Sequence, residues 1–201
     1  MKQFMEFSEK TLEKLKIYED VLKKWQSKIN LISNSTINDI WDRHILDSAQ
    51  LYPLISKQEQ VVLDLGSGAG FPGLVLAILN QYEGKGKWHI HLVESDARKC
   101  AFMQEVARLC QLNVKIHNCR IEQMPELQAD VITARALKET KTLLHYVQPF
   151  LKPDTVCLFL KGENADLELS WASNEYSFLV EKLPSITQGS SILKIMEINN
   201  E

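Results

Sequence analysis

The chain's 201 residues are 45% apolar and 24% charged, with 8 glycines and 6 prolines, which excludes a disordered or low-complexity chain and allows a sizeable core. A net charge of −3 and a pI near 6.0 exclude a protein that holds nucleic acid by overall basicity, though not one with a local basic face. No apolar run approaches the ~20 residues of a membrane span, and Lys2, Glu6, Glu9 and Lys10 stand where a signal peptide is apolar, so a cytoplasmic protein with no membrane attachment is expected.

In chain order, Leu12, Leu15, Tyr18, Leu22, Trp25 and Ile29 recur three and four residues apart, which predicts an amphipathic helix beginning at a Ser8 N-cap. Its Lys10, Lys14, Lys16, Lys23, Lys24 and Lys28 interleave with Glu9, Glu13, Glu19 and Asp20, the pattern of a solvated mixed-charge face. After the polar break Ser33-Asn34-Ser35, Thr36 is expected to cap a second helical stretch through Ile40, Trp41, Ile45 and Leu46 that ends before Pro53. Residues 1–58 therefore read as an N-terminal helical cap integrated with a core over 59–201.

The pattern then changes. Val61 to Leu65 is a β-branched run ending in glycines, followed by a buried helix from Leu74 to Leu79. Ile90 to Val93, Val114 to Ile116 and Val131 to Thr133 read as further strands, with a helix over Ala97 to Leu109 between the first two. Leu143 to Val147 belongs to another helix, Val156 to Leu160 suits a fully buried strand, and Tyr176 to Leu183 and Ser191 to Ile198 are two more strands. Such alternation predicts an α/β, doubly wound, mostly parallel Rossmann-like sheet with helices on both faces, binding its ligand outside the carboxyl ends of the strands.

The segment Asp64-Leu65-Gly66-Ser67-Gly68-Ala69-Gly70-Phe71-Pro72-Gly73 lies between strand and helix, where missing β-carbons let the backbone turn sharply and approach a ligand. Gly68-x-Gly70-x-x-Gly73 satisfies the dinucleotide fingerprint, so a nicotinamide cofactor has to be weighed. Two residues favour S-adenosylmethionine instead. The Asp64 carboxylate can order the loop or meet a cationic amino-acid group but would repel a pyrophosphate, and Pro72 removes one donor from the helix start. Glu94, at the end of the second strand, stands where an acid accepts bonds from ribose hydroxyls.

The four cysteines Cys100, Cys110, Cys119 and Cys157 show no paired spacing and read as small, reduced core residues. His89, His91 and His117 lack metal spacing with carboxylates, so no metal is expected. Trp25, Trp41, Trp88 and Trp171 read as core or cap residues.

Several further motifs occur together: Lys24-Trp25 with Asn30-Leu31, Arg43-His44-Ile45-Leu46-Asp47-Ser48, the glycine segment Gly66 to Gly73, Arg120-Ile121-Glu122, Ala134-Arg135-Ala136 and Leu160-Lys161-Gly162. In this combination the chain resembles, over nearly its whole length, the 16S ribosomal RNA guanine-N7 methyltransferase G family, also called glucose-inhibited division protein B. The resemblance implies a class I methyltransferase core over 59–201 that transfers a methyl group from S-adenosyl-L-methionine to N7 of a guanine in a decoding-region loop of 16S rRNA. Its partner would be 16S rRNA or the small ribosomal subunit.

The resemblance implies cofactor contacts at Gly66, Phe71, Ile121, Glu122 and Arg135, which join Asp64, Gly68, Gly70 and Glu94 from the turn and the second strand, with Arg43, Arg135 and Lys161 positioning the substrate. His44 and Asp47 read as a structural link between cap and sheet. Guanine N7 carries an in-plane lone pair, so no general base is required, and catalysis reduces to positioning and desolvation. Where the family usually carries an arginine after a late glycine, this chain has Gly189-Ser190-Ser191. Cys119 stands where many methyltransferases place an acid near the adenine, a contact that Glu122 can take over. The rival readings are a methyltransferase for a small molecule or protein, and a non-catalytic ribosome- or nucleotide-binding module. A basic face beside the pocket would favour RNA, and an enclosed apolar pocket a small substrate.

Overall fold

The computed structural model describes residues 6–56, 58–84 and 86–200. Ser8 caps the first helix, α1 (Glu9–Gln26), its hydroxyl oxygen accepting from Thr11 N–H at 3.2 Å. The three-and-four spacing buries Leu15, Tyr18 and Leu22 completely, each contributing roughly 1.5–3 kcal/mol. The second stretch is not the single helix expected. Ser33, rather than Thr36, is the cap of a 3-10 segment (Asn34–Asp39), because the Thr36 hydroxyl turns back to the Ser33 carbonyl at 2.9 Å and competes with helical bonding. A π-helical turn (Trp41–Leu46), the short α2 (Asp47–Ala49) and a 3-10 turn (Tyr52–Leu54) complete the cap. Pro53 falls inside that last turn, where its missing N–H costs nothing.

The core follows as β1 (Glu59–Leu65), α3 (Gly73–Tyr82), β2 (Lys87–Glu94), α4 (Ala97–Cys110), β3 (Val114–Asn118), β4 (Val131–Arg135), α5 (Thr140–Val147), β5 (Val156–Lys161), α6 (Ala165–Ala172), β6 (Tyr176–Pro184) and β7 (Ser191–Asn200). The strands form one sheet in the order β3-β2-β1-β4-β5-β7-β6. The first five are parallel, and β7 runs antiparallel between β5 and β6. This is the doubly wound, mostly parallel sheet expected from the alternation.

Its two faces carry separate cores. Leu74, Val75, Ile78, Leu92, Phe102 and Val106 pack with the cap residues Leu15, Tyr18 and Leu22 on one face. Leu63, Leu65, Leu143, Phe159, Leu193 and Ile195 pack on the other. Helix α6 was absent from the sequence reading because it buries only Ala165 and Ala172. Leu167 and Trp171 face outward, so Trp171 is a surface residue and not the core or cap residue expected. Cys100, Cys110 and Cys157 are buried free thiols as expected, whereas Cys119 is only half-buried and not the core residue expected. His91 Nδ1 and His117 Nε2 lie 3.0 Å apart on neighbouring strands, and burial, then the neighbouring imidazole, lowers His91 to about 4.

Candidate cofactor and substrate site

The carboxyl ends of the parallel strands, the cap and the hairpin between β6 and β7 line an open cavity of about 900 Å³. Its floor is the glycine turn after β1. Gly66 has φ +64°, and a β-carbon there would stand 2.5 Å from Leu137 Cδ1. A β-carbon on Gly73 would stand 2.1 Å from Leu92 Cδ2 and 2.8 Å from Asp64 Oδ2, so α3 starts this close to β2 only because the side chain is missing.

Two carboxylates hold the turn. Asp64 is fully buried behind it, accepting from Gly73 N–H at 3.3 Å and from the Thr133 hydroxyl at 2.7 Å. Thr133 is its register partner on β4, which is why the two side chains meet. Burial raises the Asp64 carboxyl to about 6, against the opposing pull of the Thr133, Ser67 and Gly73 hydrogen bonds and of Arg135. Glu94 grips from the other side, Oε2 accepting from Gly68 N–H at 2.9 Å and Oε1 from Asp96 N–H at 2.8 Å. From the cap, the Tyr18 hydroxyl donates to the Ala69 carbonyl, and its ring stacks on Phe71 at 5.0 Å.

Phe71 is the meeting point of cap and core. Arg135 lies 4.8 Å over its ring and His44 lies 5.1 Å from it. Arg135 donates to the Arg43 carbonyl at 3.2 Å and faces Asp47 at 3.7 Å; burial lowers its pKa while Asp47 opposes that. Asp47 also accepts from Gln50, Ser185 and Thr187 at 2.9, 3.2 and 3.0 Å, so it links the cap to the β6–β7 hairpin.

The hydrogen-bond pattern fixes the state of His44. Thr36 gives its hydroxyl proton to the Ser33 carbonyl, so the 2.8 Å contact between Thr36 Oγ1 and His44 Nε2 requires the imidazole to donate. Nδ1 is then a bare acceptor, and it is buried with no partner among the described residues. Burial, with Arg135 and Arg43 adding to it, lowers His44 to about 3, so the ring is neutral.

Of the residues expected from sequence, Gly66, Gly68, Phe71, Glu94, Ile121, Glu122, Arg43, Arg135 and Lys161 line this one cavity. Asp64 and Gly70 do not; they stand behind its wall. Lys161 is already paired, with Nζ 2.5 Å from Glu168 and 2.7 Å from the Lys138 carbonyl. The sequence reading missed Thr36, Lys99, Leu137, Lys138, Tyr146 and Thr187. The polar break at Ser33 and the loop after β4 were the only signals pointing toward any of them. Arg43, Lys99 and Lys138 line the cavity with no acidic partner within 4.0 Å among the described residues.

The profile of the family described as rRNA small subunit methyltransferase G matches residues 11–194. The chain belongs to that family. Its relatives include the ribosomal RNA small subunit methyltransferase G of Paramagnetospirillum magneticum, 48% identical over 96% of this chain and 91% of the relative. That of Rhodospirillum rubrum is 45% identical over 96% and 93%. The fold is Rossmann-like and shared with S-adenosylmethionine-dependent methyltransferases. One from Aquifex aeolicus superposes with a TM-score of 0.59 at 16% identity, over 89% of this chain and 98% of the other. M. jannaschii TYW2 in complex with AdoMet gives 0.57 at 20%, over 87% and 80%.

Proposed function

We propose that the chain transfers a methyl group from S-adenosylmethionine to N7 of a guanine in a decoding-region loop of 16S rRNA. The observation that carries this reading is the cavity itself: it joins a glycine turn fixed by Asp64 and Glu94 to a rim where Arg43, Lys99 and Lys138 have no acidic partner within 4.0 Å among the described residues. Free cations beside an open cavity suit a polyanion and not an enclosed apolar substrate. When bound, S-adenosylmethionine supplies the electrophilic methyl group. Gly66, Gly68, Phe71, Glu94, Ile121 and Glu122 would hold it, with Asp64 and Gly70 shaping the turn from behind.

Guanine N7 presents its lone pair without giving up a proton, so the chain's work is to orient and desolvate. A neutral His44 suits such a reaction. Arg43 and Arg135 position the guanine, and Lys161 fixes the loop after β4 through the Lys138 carbonyl. Residues 1–58 act as a cap on the 59–201 core, and the enzyme works on the small ribosomal subunit or its rRNA in the cytoplasm.

The test is transfer of labelled methyl to purified small subunits, naked 16S rRNA and a small-metabolite extract, followed by nucleoside analysis. Label in 7-methylguanosine is the expected result. Label only in metabolites, or none in 7-methylguanosine, would reject this reading.

A further inference from the structure

Outside the cavity, a groove of about 440 Å³ runs between α1 and α4, lined by Lys24, Trp25 and Lys28 on one bank and Ala101, Gln104, Glu105 and Arg108 on the other. The helices are antiparallel: Trp25 meets Phe102 edge-on at 5.8 Å, while the Cys110 thiol near the end of α4 donates to the Lys14 carbonyl at 3.4 Å. The Lys28 end of the groove therefore points toward the carboxyl ends of the strands. The connection is direct on both banks. Leu31, Ile32 and Ser33, just past Lys28, line the cavity, as does Lys99, two residues before Ala101.

The charges here differ from those of Lys14, Lys16 and Lys23 on α1, and Lys14 is paired with Glu13. Lys16 and Lys23 are neutralised by Glu19 and Asp20. Lys24 and Lys28 are exposed and have no acidic partner within 4.0 Å among the described residues. Arg108 is bound in a fork by Glu105, with both contacts at 2.9 Å. The groove thus sets three cations against one carboxylate in a chain whose net charge is −3. Apart from Trp25 and Ala101 its lining is polar or charged, which does not suit an apolar helix.

We infer that the α1–α4 groove is a second docking surface for the RNA substrate, holding the phosphodiester backbone beyond the methylated nucleotide while Lys99 carries the strand across to the cavity. This rests on the reading of the chain as an rRNA methyltransferase. Lys24 and Lys28 meet successive phosphates, and Trp25 offers a flat apolar wall between them. Such contacts place the strand without reading its sequence, so their effect is on affinity and salt dependence and not on the methyl transfer itself.

The experiment measures binding of the full chain to naked 16S rRNA and to purified small subunits over a salt series, alongside cofactor affinity by calorimetry and methylation kinetics. The variants are K24Q/K28Q, with K16Q/K23Q on α1 as a control of equal charge change. For K24Q/K28Q, RNA affinity is expected to fall about tenfold, and the slope of log K against log salt to shrink by about 1.4, from two contacts of about 0.7 each. KM should rise in step, while kcat and S-adenosylmethionine affinity stay within twofold; K16Q/K23Q should bind like the parent. Unchanged affinity and slope would overturn the groove assignment. Weaker binding to subunits but not to naked RNA would overturn it too, in favour of a ribosomal protein as occupant. Groove-dependent RNA binding without 7-methylguanosine would uphold the groove and reject the proposed reaction.

Discussion

Replacing Glu94 with Gln tests how the cofactor turn is held. The carboxylate accepts from Gly68 N–H and Asp96 N–H through different oxygens, at 2.9 and 2.8 Å. An amide offers one acceptor oxygen and turns an NH₂ group on the second backbone N–H, so one charge-assisted bond is lost. Such a bond contributes roughly 1.5–3 kcal/mol. Glu94 is nearly buried, at 9% exposure, so water makes up little of the loss. If the ordered turn is the form that binds the cofactor, that free energy appears in the dissociation constant as about a ten- to hundredfold weakening, at 1.4 kcal/mol per tenfold. Calorimetric titration with S-adenosylmethionine measures it, and urea unfolding checks that the variant stays folded with an unchanged m-value. A dissociation constant within twofold of the parent would refute the argument that Glu94 organises the turn.

Three other substitutions probe the same region. Lys161→Met breaks a largely buried pair and leaves the Glu168 carboxylate without its cation, so urea unfolding should show a loss of roughly 3–5 kcal/mol, with part of it recovered by adding Glu168→Gln; a loss under about 1 kcal/mol would place Lys161 outside the stability network. Asp64→Asn tests linkage. The native carboxyl titrates at about 6 against an ordinary 3.8, so the native state holds the proton longer than the unfolded one and this group's contribution falls as pH rises from about 4 to about 6. The stability of Asp64→Asn relative to the parent should therefore climb across that window, by roughly 3 kcal/mol at most; a flat difference profile would contradict it. Gly66→Asp puts a β-carbon 2.5 Å from Leu137 at φ +64° and should abolish S-adenosylmethionine binding in calorimetry, whereas retained affinity would mean the pocket lies elsewhere.

The elements with strong local signals were legible in the sequence: the Ser8-capped helix, the β-branched strand before the glycines and the buried run of β5. What was not legible depended on where side chains aim. Helix α6 carries its large apolar residues Leu167 and Trp171 outward, so periodicity gave no reason to expect a helix packed through two alanines. Lys161 looked like a free strand-end cation because its partner Glu168 sits on that unrecognised helix. Asp64 and Glu94 were both expected at the cofactor. One faces the cavity and the other stands behind it, and only the register of β1 against β4, which brings Thr133 beside Asp64, decides between those positions. In the region 33–49, competing Ser and Thr side-chain bonds broke the predicted helix into turns, which bring Thr36, Arg43 and His44 to the cavity wall.

The order of the sheet also bears on how the chain acquires its shape during synthesis. Strand β6 precedes β7 in sequence but reaches the sheet only through it, because β7 lies between β5 and β6. A nascent chain that has emerged only as far as Pro184 can pair β1 to β5, but its sixth strand has no neighbour to join. The residues that Asp47 and Gln50 clasp, Ser185 to Thr187, complete their hairpin only with the chain entering β7, Ser185 N–H donating to the Ser190 carbonyl across it. The cavity wall therefore closes late, when β7 leaves the ribosome that is making it.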